Sequence, residues 1–274
     1  MSGAFERSDN KLAVVIPCFN VASQILGVLK RIGPEVARIY VVDDRCPQDS
    51  GGVVERGSSD PRVTVIHNTV NKGVGGAVLA GMCRAVEEGA TILVKLDGDG
   101  QMDPALIPGL VAPIQRAEAD YTKGNRFYEL EGLREMPTVR VIGNAGLSFL
   151  SKASSGYWDI FDPTNGFVAI HHEAFRRLPI SKLDQRYFFE SDLLFRLYLI
   201  RAVVLDIPMT AKYADEVSGF RSRNVILPFF RRHSHNPRAI QGSSVRDRSR
   251  SAAWAVRPNH RGRVSRTSSL GKLA

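Results

Sequence analysis

The feature that most constrains the fold is an alternation in the first hundred residues. Short β-branched runs at residues 12–17, 38–43, 62–66 and 91–96 are separated by helical patterns at 22–32, 51–56 and 76–88. This alternation predicts βαβ units and an α/β, Rossmann-like, mainly parallel sheet flanked by helices. Each run ends in polar, glycine or acidic residues: Cys18-Phe19-Asn20, Asp43-Asp44 and Asp97-Gly98-Asp99-Gly100-Gln101. Ligands of open α/β sheets bind beyond the carboxyl ends of the strands, so three such ends predict one site.

The second half is less regular. Helical periodicity returns at 138–152 and 188–201, and 166–170 and 203–207 read as strands, the last stopping at Pro208. Charge divides the chain more sharply than periodicity does. The 274 residues carry a formal +9, but residues 221–274 hold 12 Arg, one Lys and one acid, a net +12. The remaining 220 residues sum to −3, which excludes a basic fold and makes nucleic acid an unlikely partner for the body. Residues 231–274 contain ten Arg and eight Ser but only six Ile, Leu, Val, Met or Phe, and this composition predicts a disordered tail. The expected organisation is a flexible 1–10, a single catalytic domain over 11–220 and a basic low-complexity tail over 221–274.

Compartment follows from what is missing. Cys18, Cys46 and Cys83 form no CxxC or Cys/His cluster, so neither a disulfide framework nor a structural zinc site is expected. The polar start MSGAFERSDNK has no signal-peptide core. The most apolar stretch, 193–209, is broken by Arg196, Arg201 and Asp206, short of the roughly 18 uncharged residues that a span needs. A cytoplasmic protein, peripheral on the membrane at most, is expected.

The sharpest chemical signal is Asp97-x-Asp99-x-Gln101 directly after a strand. Two carboxylates separated by a glycine, with a neutral oxygen ligand beyond them, suit a hard divalent cation, Mg²⁺ or Mn²⁺, that leaves positions open for phosphate oxygens. An acidic surface turn is the plain alternative, and a calcium loop is weaker because no Glu stands at its twelfth position. Asp43-Asp44 suits a base N–H or a ribose hydroxyl, or else a turn or helix cap. Asn71-Lys72-Gly73-Val-Gly-Gly lies between a strand and a helix. It is neither a Walker loop nor a GxGxxG, and it reads either as a phosphate contact at a helix N-terminus or as a tight turn. Tyr157 and Trp158 are candidates for stacking on a sugar.

The order Val14-Val-Ile-Pro-Cys-Phe-Asn20, Val41-Val-Asp-Asp44, Asn71-Lys-Gly73, Asp97-x-Asp99-x-Gln101, Lys123-Gly-Asn-Arg126, Asp162-Pro-Thr-Asn-Gly-Phe167, Glu190-Ser-Asp192 resembles the family 2 glycosyltransferases. Within them it is most similar to dolichol- and polyprenol-phosphate mannosyltransferase-type enzymes, over roughly residues 11–218. The resemblance implies a GT-A fold, a nucleotide-sugar donor and inversion at the anomeric carbon. It implies that Asp44 contacts the donor base, flanked by Pro17, Phe19 and Asn20. Asp97 and Gly98 fall near ribose and phosphate, and Asp99 and Gln101, with Asp97, form the metal set. Lys72, Gly73, Arg126 and Arg140 approach phosphate groups.

For Glu190-Ser-Asp192 the resemblance implies an acid at a helix start facing the acceptor, with Asp192 the first candidate and Glu190 the second. A hydroxyl acceptor needs such a base; a lipid phosphate, already anionic, does not. Two departures stand out. Val21 follows Asn20 where the family usually has Glu, which leaves the donor base open between UDP and GDP. Arg/Ser-rich sequence also follows 226–230 where similar enzymes continue into membrane-anchoring helices. That tail reads as a polybasic membrane contact, as a nucleic-acid contact or, the favoured reading, as a terminus that has lost its spans. The expected function is hexosyl transfer to a polyprenyl phosphate or related glycan acceptor. A soluble hydroxyl-directed transferase and a non-catalytic nucleotide-sugar binder are the alternatives.

Overall fold

The computed structural model describes residues 11–125, 157, 160, 165–186 and 188–209. Seven strands form one sheet in the order β3-β2-β1-β4-β6-β5-β7. They are β1 (Leu12–Cys18), β2 (Arg38–Asp43), β3 (Val63–His67), β4 (Ile92–Lys95), β5 (Tyr121–Asn125), β6 (Val168–His171) and β7 (Val204–Pro208). All adjacent pairs run parallel except those made by β6, which is antiparallel to both β4 and β5. One edge of the sheet therefore collects six strand C-termini together with the entry to β6.

The β1 run LAVVIPC is almost wholly apolar because both of its faces are covered. Ala13 and Val15 face a core built with α3 (Gly73–Glu87) and the later α6 (Phe189–Leu199). Leu12, Val14, Ile16 and Cys18 face a second core with α1 (Ile25–Leu29), α2 (Ser50–Gly57) and α4 (Ile107–Gln115). The short α5 (His172–Arg176) follows β6 directly. Among the described residues no helix is long and apolar enough to cross a membrane.

Six predicted strands and four predicted helices are present, with ends shifted by up to three residues. Three elements are additions, the short α5 among them. Helix α4, IPGLVAPIQ, carries Pro108 in its first turn and Pro113 inside, and both hide it from a periodicity reading. Strand β5, YTKGN, is polar yet fully buried. The predicted helix at 138–152 and the tail lie outside the described residues.

Helix α3 sits close on the sheet because Gly81 has no side chain. A Cβ there would overlap Val15 Cγ1 and come within 2.9 Å of Val42 Cγ2. Gly81→Ala is expected to cost about 1–3 kcal/mol through overpacking, seen as a lower denaturant midpoint at unchanged m. Gly27→Ala in α1, where a Cβ meets nothing within 4 Å, should instead gain about 0.5–1 kcal/mol.

Candidate active site

The strand order places β1 and β4 side by side with their crossovers running in opposite directions, a topological switch point. The two adjacent acids at the end of β2 organise this edge. Asp43 accepts hydrogen bonds from Cys46 N (2.7 Å) and Gly51 N (2.6 Å) at the start of α2. Asp44 accepts from Asn68 Nδ2 (2.8 Å), Lys72 N (2.9 Å) and Gly73 N (2.7 Å) at the start of α3. Each aspartate thus supplies the anion that a helix N-terminus favours. The expectation that Asp44 contacts a donor base meets a carboxylate that is 3% exposed and already accepts three internal hydrogen bonds. The same bonds use the Lys72 and Gly73 amides that the sequence offers to phosphate, while the Lys72 side chain remains exposed.

The floor of the site is an ion-pair cluster. Lys95, the last residue of β4, is 1% exposed, and its Nζ lies 2.7 Å from Asp97 Oδ1 and 3.3 Å from Glu190 Oε1. Burial pulls the Lys95 pKa down, but the charges of Asp97 and Glu190 outweigh it, so the net shift is upward and the ammonium persists. A second buried lysine, Lys123 of β5, donates from Nζ to the Asn165 carbonyl. Lys95 and Lys123 share a register position, since both pair with Val168 of β6. Beside them the Tyr121 hydroxyl is fully buried and has no hydrogen-bond partner among the described residues. Burial first, and then the charges of Glu190 and Asp206, push its pKa well up.

The two acids of α6 diverge. Residues two apart on a helix point about 200° apart, so only one can face β4. Glu190 does, through Lys95. Asp192 faces the preceding loop instead. Its Oδ2 accepts from Asp184 N (2.9 Å) and Arg196 Nε (3.0 Å), while Arg196 in turn bonds the Lys182 carbonyl. Of the two acids expected to face the acceptor, the structure brings Glu190 to the Asp97 cluster and pairs Asp192 with Arg196.

Asp99, two residues beyond Asp97, accepts from Gln101 N (3.0 Å), and the Gln101 side chain is exposed at the same turn. One carboxylate and one neutral amide form an oxygen donor set that fits Mg²⁺ or Mn²⁺ taking its other ligands from phosphate and water. Among the described residues no three His, Cys, Asp or Glu converge as a protein-only metal cage. Asp97 is less suited to direct ligation, because Lys95 occupies one oxygen. Gly98 is buried against Ile16, Val21 and Ile25 and sets the loop on the core. Pro17 is half-buried, and Phe19 and Asn20 stand at the β1 end, with Phe19 47% exposed and Asn20 at φ 60°. Arg126, Arg140, Trp158 and Asp162 lie outside the described residues. Tyr157 packs edge-on against Tyr198, with centroids 5.6 Å apart, and donates to the Ala202 carbonyl, so its ring and hydroxyl are engaged within the fold rather than offered to a sugar.

Lys95 and Tyr121 lie at this edge without having been singled out in the sequence, where Lys123 enters only within a motif and Cys46 only among the cysteines. The Cys46 thiol meets Asn20 N at 3.1 Å and Ser50 Oγ at 3.1 Å. Burial raises its pKa, but hydrogen bonds from Ser50, Asn20 and Gln48 outweigh this and lower it overall.

An α/β sheet with a carboxylate loop and a facing acidic helix at its switch point is consistent with the GT-A fold of glycosyltransferases, and the comparisons with known proteins assign it to that class. The chain belongs to glycosyl transferase family 2, whose pattern matches residues 13–178. It is 30% identical to the polyprenol monophosphomannose synthase of Mycolicibacterium smegmatis, over 74% of this chain and 78% of that one. It is 27% identical to the UDP-N-acetylglucosamine–dolichyl-phosphate N-acetylglucosaminyltransferase of Methanococcus voltae, over 81% and 93% of the two chains. The fold is similar to that of Mycobacterium tuberculosis glucosyl-3-phosphoglycerate synthase, solved with Mn²⁺, UDP and glucosyl-3-phosphoglycerate. That likeness has a TM-score of 0.61 at 19% identity, covering 82% of this chain and 81% of that one.

Two outcomes follow from the geometry. Asp192→Ala leaves Arg196 without its carboxylate and should cost about 3 kcal/mol, read from chemical denaturation. Iodoacetamide at pH 7.5 should modify Cys46 first and Cys18 last, because burial pushes the Cys18 thiol far up; peptide mass spectrometry reads the order.

Proposed function

We infer that the protein transfers a hexosyl group from a UDP- or GDP-sugar to a polyprenyl or dolichyl phosphate, with inversion at the anomeric carbon. The observation that carries this reading is the commitment of Glu190 to Lys95. An acid that must take a proton from a hydroxyl has to be free to reach it. Glu190 could do so only by giving up its ammonium partner, whereas a phosphate oxygen attacks without losing a proton. The names of the similar lipid-phosphate transferases support the same acceptor class.

In this reading an acceptor phosphate oxygen forms the new bond to the anomeric carbon as the bond to the nucleoside diphosphate breaks. The diphosphate leaves with the electron pair from the opposite face. Phe19 offers an exposed ring to the donor base, and Asp44 acts indirectly by fixing the 68–73 loop beside it. Asp97 faces the donor ribose and phosphate, while Asp99 and Gln101 hold Mg²⁺ or Mn²⁺. When bound, the ion supplies Lewis-acid charge at the leaving diphosphate. Lys72, Arg126 and Arg140 would add positive charge toward the phosphates. Glu190, with Lys95, bounds the acceptor side and orients the incoming phosphate. The basic segment 221–274 would add attraction to anionic lipid of about 1 kcal/mol per residue near the surface.

The test is transfer from UDP- and GDP-hexoses, with Mn²⁺, to polyprenyl phosphate in lipid vesicles. A metal-dependent glycosyl lipid is expected. Asp99→Ala should lower kcat at least about 10²-fold, and Glu190→Gln should keep measurable turnover. Transfer to hydroxyl acceptors alone, abolished in Glu190→Gln, would contradict the reading.

A further inference from the structure

An anion that approaches Glu190 meets a net negative cluster, because Asp97 and Glu190 share the single ammonium of Lys95. A phosphate there needs a cation that the fold has not already neutralised. Arg186, four residues before Glu190, is such a cation: it is exposed, and its guanidinium has no ion-pair partner among the described residues. The rest of Arg186 is held in place. The 184–186 loop lies against the first turn of α3, where two glycines leave the helix bare. A Cβ on Gly73 would come within 2.6 Å of the Gln185 carbonyl oxygen and 2.8 Å of Arg186 Cγ, and one on Gly75 within 2.7 Å of the Asp184 carbonyl oxygen. Gly76 N donates to the Gln185 carbonyl (3.0 Å), Arg186 N to Asp184 Oδ1 (2.9 Å) and Asp184 N to Asp192 Oδ2 (2.9 Å). The glycine run at the start of α3 is thus the seat of a protein loop, and the Arg186 stem lies over Gly73. Lys72 is exposed beside it and likewise has no ion-pair partner among the described residues.

We propose that Arg186 is a binding residue for the acceptor phosphate: its guanidinium, carried on a loop that α3 and Asp192 hold in place, takes the anionic oxygens of a prenyl phosphate and offsets the charge of Glu190. The planar guanidinium can give two parallel hydrogen bonds to one phosphate, and a loop fixed beforehand loses little freedom on binding. The diphosphate of the donor has its own counter-charge in the metal of the proposed function, so Arg186 acts on the acceptor alone. This assignment rests on the acceptor class of the proposed function and goes beyond it by naming the cation that recognises the acceptor.

The test is calorimetric binding of geranyl phosphate, a short prenyl phosphate, to the full chain without donor or metal, together with initial rates on polyprenyl phosphate in neutral vesicles. Arg186→Ala should bind geranyl phosphate about tenfold more weakly and raise the acceptor KM by a similar factor, with the donor KM within about twofold of the parent protein. Arg186→Lys should recover part of the loss. Arg176→Ala, on α5 at the opposite edge of the sheet, should match the parent protein. A merely structural role for Arg186 predicts lower stability and lower kcat with both KM values kept. If the parent protein takes only the long-chain lipid, the acceptor KM decides alone. Unchanged acceptor binding in Arg186→Ala, an equal loss in Arg176→Ala, or a larger rise in donor KM than in acceptor KM overturns the proposal and leaves the proposed function standing. A defect confined to vesicles of anionic lipid identifies a membrane contact instead and also overturns it. A parent protein that neither binds geranyl phosphate nor glycosylates polyprenyl phosphate overturns both.

Discussion

The ammonium of Lys95 between Asp97 and Glu190 is the contact on which the site depends. It joins three parts that are distant in sequence: the end of β4, the loop after it and the first turn of α6. A buried cation needs compensation, and a buried carboxylate needs the same from the other side. Removing Lys95 leaves both carboxylates unpaired, and removing either carboxylate leaves the buried ammonium with a single partner. The loop after β4 and the first turn of α6 are therefore joined through one charge.

The rest of the edge is arranged by a second use of carboxylates. Asp43 and Asp44, adjacent in sequence, turn to different helices and hold the N-termini of α2 and α3. Helix dipoles and unpaired amides at those termini make such anchors favourable. The result is a rim in which Asn20, Cys46 and the 68–73 loop are fixed by hydrogen bonds to strand-end acids or to one another, leaving Phe19 outward.

Much of this was legible in the sequence. The β1, β2 and β4 runs are apolar because both faces are buried, so their strands and the site edge could be read directly. The order of the motifs led to the family, and Asp97, Asp99 and Gln101 do lie together in the loop after β4. What was hidden was hidden for physical reasons. A lysine in a strand reads as a surface residue until a partner on another element is known, and the partner of Lys95 is 95 residues away. Strand β5 carries Lys123, Gly124 and Asn125, residues poor in strand preference, and their polar atoms bond within the fold, to Asn165 and Asp206 among others. The choice between Glu190 and Asp192 depends on the rotation of α6 about its axis. Packing sets that rotation through Phe189, Leu193 and Leu197, and the spacing of the acids does not.

The central claim is that the Lys95 ammonium holds Asp97 and Glu190 together while Asp99 and Gln101 take the metal of the proposed function. The most direct measurement is the anomalous scattering of Mn²⁺ in crystals grown with a nucleoside diphosphate. The account predicts a peak about 2.1 Å from an Asp99 carboxylate oxygen, with Lys95 Nζ still between Asp97 and Glu190. A Mn²⁺ ion bridging Asp97 and Asp99, with Lys95 displaced, would contradict it.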